Sequence, residues 1–150
     1  MTEALAATAR IRVGVSPRRA FEIFTGDIGS WWKRGTYYWN DPERGLRYEF
    51  EPRLGGRLLE VYTDGEPFEV GRITGWQPGE LLEYTWRQAD WSPDQFTTVA
   101  VRFTADGDGT RVDVRHTGWE SLGQDADQGR NGYGQGWLEL LGFYSNEVAG

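Results

Sequence analysis

Residues 131–148 read NGYGQGWLELLGFYSNEV, and this stretch decides the fold. Tyr133, Trp137, Leu140, Leu141, Tyr144 and Val148 are spaced to fall on one face of a helix, with Glu139, Ser145 and Glu147 off it. Gly134, Gly136 and Gly142 interrupt it, each costing roughly 1 kcal/mol of helix propensity relative to alanine. Glycines let a helix lie close to a sheet or leave room for another group, or they mark a frayed first turn. Upstream there is no second helical pattern of this length. A single long amphipathic helix after a run of strands has to bury its stripe on the sheet.

Working outward, residues 10–15 alternate, with Ile11, Val13 and Val15 on one face of an edge strand. Residues 1–8 are expected to be a loose tail. Ser16 and Pro17 supply an N-cap and a first helical residue for a short helix over 18–24, closed by Gly26. Asp27 starts a second short turn carrying Ile28, Trp31 and Trp32. A loop is expected over 35–45. Strands then follow at 46–51, 57–63, 68–76, 81–87, 96–105 and 110–118, separated by Gly-, Pro- and Asp-rich turns. Residues 120–130 read as a polar loop. Consecutive strands joined by short turns give an antiparallel sheet, and helices on one face make the class α+β.

The 150 residues suit one domain over 1–150. The formal net charge of -7 excludes the basic surface that nucleic acid or an anionic membrane requires. No apolar run approaches the ~20 residues needed to span a bilayer, and the first residues carry no signal-peptide pattern. The chain has no cysteine, which removes thiolate chemistry and fits a cytoplasmic location. A single histidine makes a transition-metal site a poor expectation, and no cofactor is implied. Asp106, Gly107, Asp108 and Gly109 form the turn of a hairpin, since the remaining ligands of a calcium loop are missing. The unusual number is 15% aromatic residues, with eight Trp, seven Tyr and seven Phe. Trp and Tyr suit a half-wet cavity wall as well as a core.

Five local features, in order, carry a resemblance to a known family. They are SPRRAFEIFT followed by Trp31 and Trp32; Leu54, Gly55, Gly56 and Arg57 with Glu60; and Gly71, Arg72 and Ile73 running to Pro78 and Trp86. The others are Gly109 and Thr110 leading to His116, Thr117, Gly118 and Trp119, and Gly136 and Trp137 before Leu140 and Leu141. The chain resembles the Hsp90 ATPase activator homologue-like branch of the START/Bet v-like (SRPBCC) superfamily. The resemblance implies the helix-grip fold: a curved seven-stranded antiparallel sheet wrapped around a long C-terminal helix, with two short helices after the first strand. It also implies a cavity between sheet and helix, and members that bind hydrophobic or aromatic molecules, act on bound aromatics, or serve as co-chaperone domains.

Alternation places His116 inward with Val112 and Val114, either as a polar group lining a pocket or as a satisfied structural histidine. Tyr84 and Trp86 share a face with Leu82, and Trp137 and Tyr133 face the sheet from the long helix; each fits a cavity wall and equally an ordinary core. Val99 and Val101 would form the floor. Of Trp31 and Trp32, one is expected to be buried and the other to lie at the cavity mouth or the surface. Glu60 alternates with Leu59 and Val61 and so should face solvent; only the resemblance raises it as a pocket carboxylate.

The leading expectation is a binding protein for a small hydrophobic or aromatic molecule, with Trp86, Tyr84, His116, Tyr133, Trp137, Val99, Val101 and Trp32 as ligand-binding residues. One alternative is a cyclase-, dehydratase- or hydrolase-like enzyme using His116 as acid or base. Another is a protein-interaction module, which would present a large exposed apolar patch. Monomer and homodimer both remain open.

Overall fold

A computed structural model of the chain describes residues 6–33 and 38–150. In chain order the elements are β1 (Ala7–Val13), α1 (Pro17–Gly26), α2 (Ile28–Trp31), β2 (Gly45–Phe50), β3 (Arg57–Tyr62), β4 (Phe68–Gln77), β5 (Leu81–Trp86), β6 (Thr97–Asp106) and β7 (Gly109–Thr117). A 3-10 turn, Trp119–Asp125, then leads into α3 (Ala126–Ala149). The strands form one antiparallel sheet in the order β1-β7-β6-β5-β4-β3-β2.

Local chemistry accounts for the short helices. The Ser16 hydroxyl accepts the Arg19 backbone N–H at 3.2 Å, and Pro17 occupies the first helical position. α1 buries Ala20, Phe21, Ile23 and Phe24, and Phe24 meets Tyr144 of α3 edge-on at 5.2 Å. The Tyr144 hydroxyl donates to the Ala20 carbonyl at 2.8 Å, tying α3 to α1.

The sheet curls because its register shifts at three places: between Gly45 and Arg47, between Leu58 and Leu59, and between Ile73 and Gly75. Gly71 marks the closest approach. A Cβ there would sit 1.7 Å from the Thr85 carbonyl oxygen, so no side chain fits. The concave face holds the core, and Trp137, Leu140, Leu141 and Tyr144 of α3 close over it.

Two boundaries differ from the periodic reading. β1 starts at Ala7, so residues 7 and 8 belong to the sheet and not to a tail; Ala6 precedes the strand, and the other tail residues, 1–5, lie outside the described residues, as do 35–37 of the expected 35–45 loop. α3 starts at Ala126, five residues before the stripe becomes visible. Its first turns are glycine-rich and polar, so periodicity has nothing to register there. Packing fixes them instead: Ala126 joins Ala7 and Trp119 in a small second cluster, and Gly129 lies flat against the Trp119 ring.

Gly142 is a different case, because a Cβ there meets nothing within 4 Å. Gly142→Ala should therefore stabilise the fold by about 0.5–1 kcal/mol. Thermal melting should show a rise of roughly 2–4 °C for such a gain, and an unchanged or lower midpoint would mean that the helix needs this glycine.

Candidate functional site

Alternation along β7 turns Val112, Val114 and His116 inward, and His116 stands beside Val99 of β6 and Ala7 of β1. His116 is fully buried. Its Nδ1 lies 3.1 Å from the Trp137 indole N–H, which can only donate, so Nδ1 accepts. The proton therefore sits on Nε2, which donates to the Thr97 hydroxyl oxygen at 2.6 Å. The Thr97 hydroxyl donates in turn to the Trp86 carbonyl at 3.2 Å. Each polar atom of this chain has a partner, which defines a neutral imidazole in one tautomer. Burial pushes its pKa down to about 3. The imidazole that sequence alone offers as an acid or base has both nitrogens engaged and stands behind Trp137.

In front of Trp137 lies a cavity of about 90 Å³. Tyr48 of β2 and Trp86 of β5 form its sheet side, and Tyr133, Trp137 and Leu140 of α3 form its helix side. Trp32, at the end of α2, and a strap of residues 38–41 supply the outer wall, through Tyr38, Trp39 and Asn40, while Gln88 follows β5 at the rim. Trp32 packs on Tyr48 with ring centroids 4.3 Å apart, and Tyr48 and Trp86 lie nearly parallel, 10° apart.

The wall is aromatic in area, and its hydrogens are spoken for. The indole N–H groups of Trp32, Trp39, Trp86 and Trp137 donate to Tyr38 O, Lys33 O, the Tyr133 hydroxyl and His116 Nδ1. The Tyr133 hydroxyl in turn donates to Gln88 Oε1, and the Tyr38 hydroxyl to Glu139. What faces inward is ring surface, the spare lone pairs of Tyr133 and Tyr48, and the carboxamides of Asn40 and Gln88. Burial raises the Tyr133 and Tyr48 hydroxyls well above the usual phenol range, in Tyr48 with help from the Glu60 charge, so both stay protonated.

Glu60 corrects one expectation. It is fully buried, not solvent-facing: alternation runs unbroken through β3, so Leu58 opposite Phe50 and Glu60 opposite Tyr48 share the inward face, and Leu59 opposite Glu49 lies on the other. Its Oε1 accepts from the Asn40 backbone N–H and the Asn40 Nδ2, each at 3.0 Å, and from the Tyr48 hydroxyl at 2.9 Å. Its Oε2 accepts the Asp41 backbone N–H at 2.9 Å. Glu60 thus lies behind the outer wall without lining the cavity.

The model of the family described as "Activator of Hsp90 ATPase homolog 1-like protein" matches residues 14–142. The chain belongs to that family. As a family member it has the helix-grip architecture of the START/Bet v-like superfamily, and solved structures agree along its length. Protein MLL2253 from Mesorhizobium loti is 18% identical with a TM-score of 0.72, with 96% of each chain covered. CalU16 from Micromonospora echinospora is 19% identical with a TM-score of 0.63, covering 95% of this chain and 75% of that one. The anthrahydroquino-gamma-pyrone synthase Txn09, solved as a complex, is 27% identical with a TM-score of 0.63, covering 98% of this chain and 99% of that one. A search of curated proteins returns no match.

Of the residues singled out by pattern, Trp32, Trp86, Tyr133 and Trp137 meet at this cavity. Tyr84, Val99, Val101 and His116 do not reach its lining: Tyr84 packs edge-on against Phe50 at 5.1 Å, and the two valines are fully buried in the core. Both Trp31 and Trp32 are buried, and Trp32 is the one that reaches the cavity. Tyr48 and Leu140 sit on inward faces that the patterns mark, whereas Trp39, Asn40 and Gln88 lie in irregular segments that carry no periodic signal. Among the described residues, no cluster of His, Cys, Asp or Glu is placed to hold a metal ion, and no helix is long and apolar enough to cross a membrane.

Proposed function

We propose that the protein binds a small aromatic molecule in the cavity between the sheet and α3. The observation that carries this reading is the wall itself: aromatic rings from the sheet, α2, the strap and α3 converge on one space, with two carboxamides at its edge. Ring surface supplies affinity, and Asn40, Gln88 and the Tyr133 oxygen fix orientation. The space is partly open to solvent, and its volume of about 90 Å³ is below the roughly 150 Å³ that takes up a benzene ring, so a bound ring either extends through the open side or displaces a wall. The cysteine-free composition favours a cytoplasmic setting.

Titration of tryptophan fluorescence with phenol, 1-naphthol and 1-hydroxyanthraquinone tests this. Saturable quenching with one-to-one stoichiometry is the expected result, weakened about five- to tenfold by Tyr133→Phe, which removes a wall hydroxyl. Linear, unsaturable quenching by every compound would refute it.

The likeness to Txn09 favours a second reading, catalysis of ring closure on an aromatic substrate. Such an enzyme would work chiefly by confining its substrate, since His116 and Glu60 have their polar atoms engaged. Turnover of a bound aromatic, lost on Tyr133→Phe or Gln88→Leu but kept in His116→Gln, would mark it out. The co-chaperone reading has less behind it: among the described residues the exposed large hydrophobics are Leu54, Phe96 and Leu138, each on a different segment.

A further inference from the structure

Resting on the binding reading, we infer that Glu60 limits the size of ligand the cavity accepts, by anchoring the strap of residues 38–41 that forms its outer wall. The strap has no ladder of its own, since 38–41 belong to no strand or helix. Its backbone N–H groups at Asn40 and Asp41 end on the two oxygens of one buried carboxyl. The Asn40 side chain repeats the link through Nδ2, and its Oδ1 accepts the Ala89 N–H at 2.9 Å, bridging the strap to the segment after β5. The Tyr48 hydroxyl, in the cavity wall, donates to the same carboxyl. One side chain therefore collects two backbone ties, one side-chain tie and one wall residue.

Burying a carboxyl away from water is costly unless donors surround it, and here three of the donors come from the strap and others from the sheet tyrosines. Moving the strap outward strips Glu60 of the three strap donors together. The strap opens as a unit, and each widening of the cavity works against the whole set. A single ring then needs little displacement, whereas two or three fused rings need the strap released.

Glu60→Gln is the direct test, because Glu60 does not line the cavity. Glutamine keeps one acceptor and turns an NH₂ toward a backbone N–H, breaking part of the anchor while preserving size. Amide exchange at Asn40 and Asp41 should quicken about tenfold or more, with the β6 and β7 amides unchanged. Stopped-flow quenching should show association of 1-hydroxyanthraquinone about fivefold or more faster than in the native protein, and association of phenol within about twofold. Should Glu60→Gln fail to fold, Glu60→Asp shortens the same side chain and draws its carboxyl back from the strap, and must give the same exchange signature at Asn40 and Asp41 and the same bias toward larger rings.

Equal acceleration of 1-hydroxyanthraquinone and phenol, or unchanged exchange at 40 and 41, overturns the inference while leaving the binding reading standing. If none of the three binds the native protein, the binding reading falls and takes this inference with it.

Discussion

Trp137→Ala is expected to lower stability by about 3–5 kcal/mol, the cost of deleting a large buried aromatic side chain. Trp137 is 2% exposed, forms the partition between the cavity and the His116 network, and supplies the proton that His116 Nδ1 accepts. Its loss removes ring packing against Trp32 and leaves a buried acceptor without a donor. For a chain of this size the thermal midpoint should fall by roughly 10 °C or more. Trp137→Phe separates the two contributions, since it keeps most of the packing and deletes only the N–H; about 1–3 kcal/mol is expected for it. A Phe variant as stable as the native protein would mean that the indole–imidazole hydrogen bond contributes nothing.

The second large effect is on pH dependence. His116 has a folded pKa of about 3, against about 6.5 for the unfolded chain. A depressed folded pKa contributes stability that is fully present above pH 6.5. Below that, the unfolded chain takes up a proton that the folded one refuses, and the contribution is lost progressively down to about pH 3. The total is on the order of 5 kcal/mol. Carboxylates titrate in the same range, so the informative quantity is the native protein minus His116→Gln. That difference should shrink between pH 6.5 and 3, because the variant has no imidazole to protonate. The single histidine also makes nitrogen NMR unambiguous: Nε2 protonated and Nδ1 bare at pH 5 is expected, and a midpoint near 6 would contradict the network.

How far the sequence anticipates this depends on the range of the signal. The α3 stripe is legible from Tyr133 to Tyr144 because burial repeats there at helical spacing, and Trp137, Leu140, Leu141 and Tyr144 are all buried. Ahead of Tyr133, Gly129 is helical against the Trp119 ring, a tertiary contact that no local pattern records. Strand alternation turns His116 inward correctly, but its partners Thr97 and Trp137 lie 19 and 21 residues away, and only the fold brings them together. Glu60 obeys alternation with Leu58 and not with Leu59; because both leucines are buried, the pattern alone does not set the phase, and only the pairing with Phe50 and Tyr48 shows which face is inward. Asn40 and Gln88 owe their place to segments without regular structure, which is where polar recognition groups tend to sit.

The eight tryptophans offer the most direct measurement of the central claim, that an aromatic ligand occupies the space between the sheet and α3. Trp32, Trp39, Trp86 and Trp137 line that space, while Trp31, Trp76, Trp91 and Trp119 do not. Indole N–H resonances of ¹⁵N-labelled protein, assigned by single Trp→Phe replacements and titrated with 1-naphthol, read both sets at once. Saturable shifts concentrated on the first four, with small changes in the other four, are the predicted result. Shifts confined to Trp76 and Trp91, or none at saturating 1-naphthol, would contradict it.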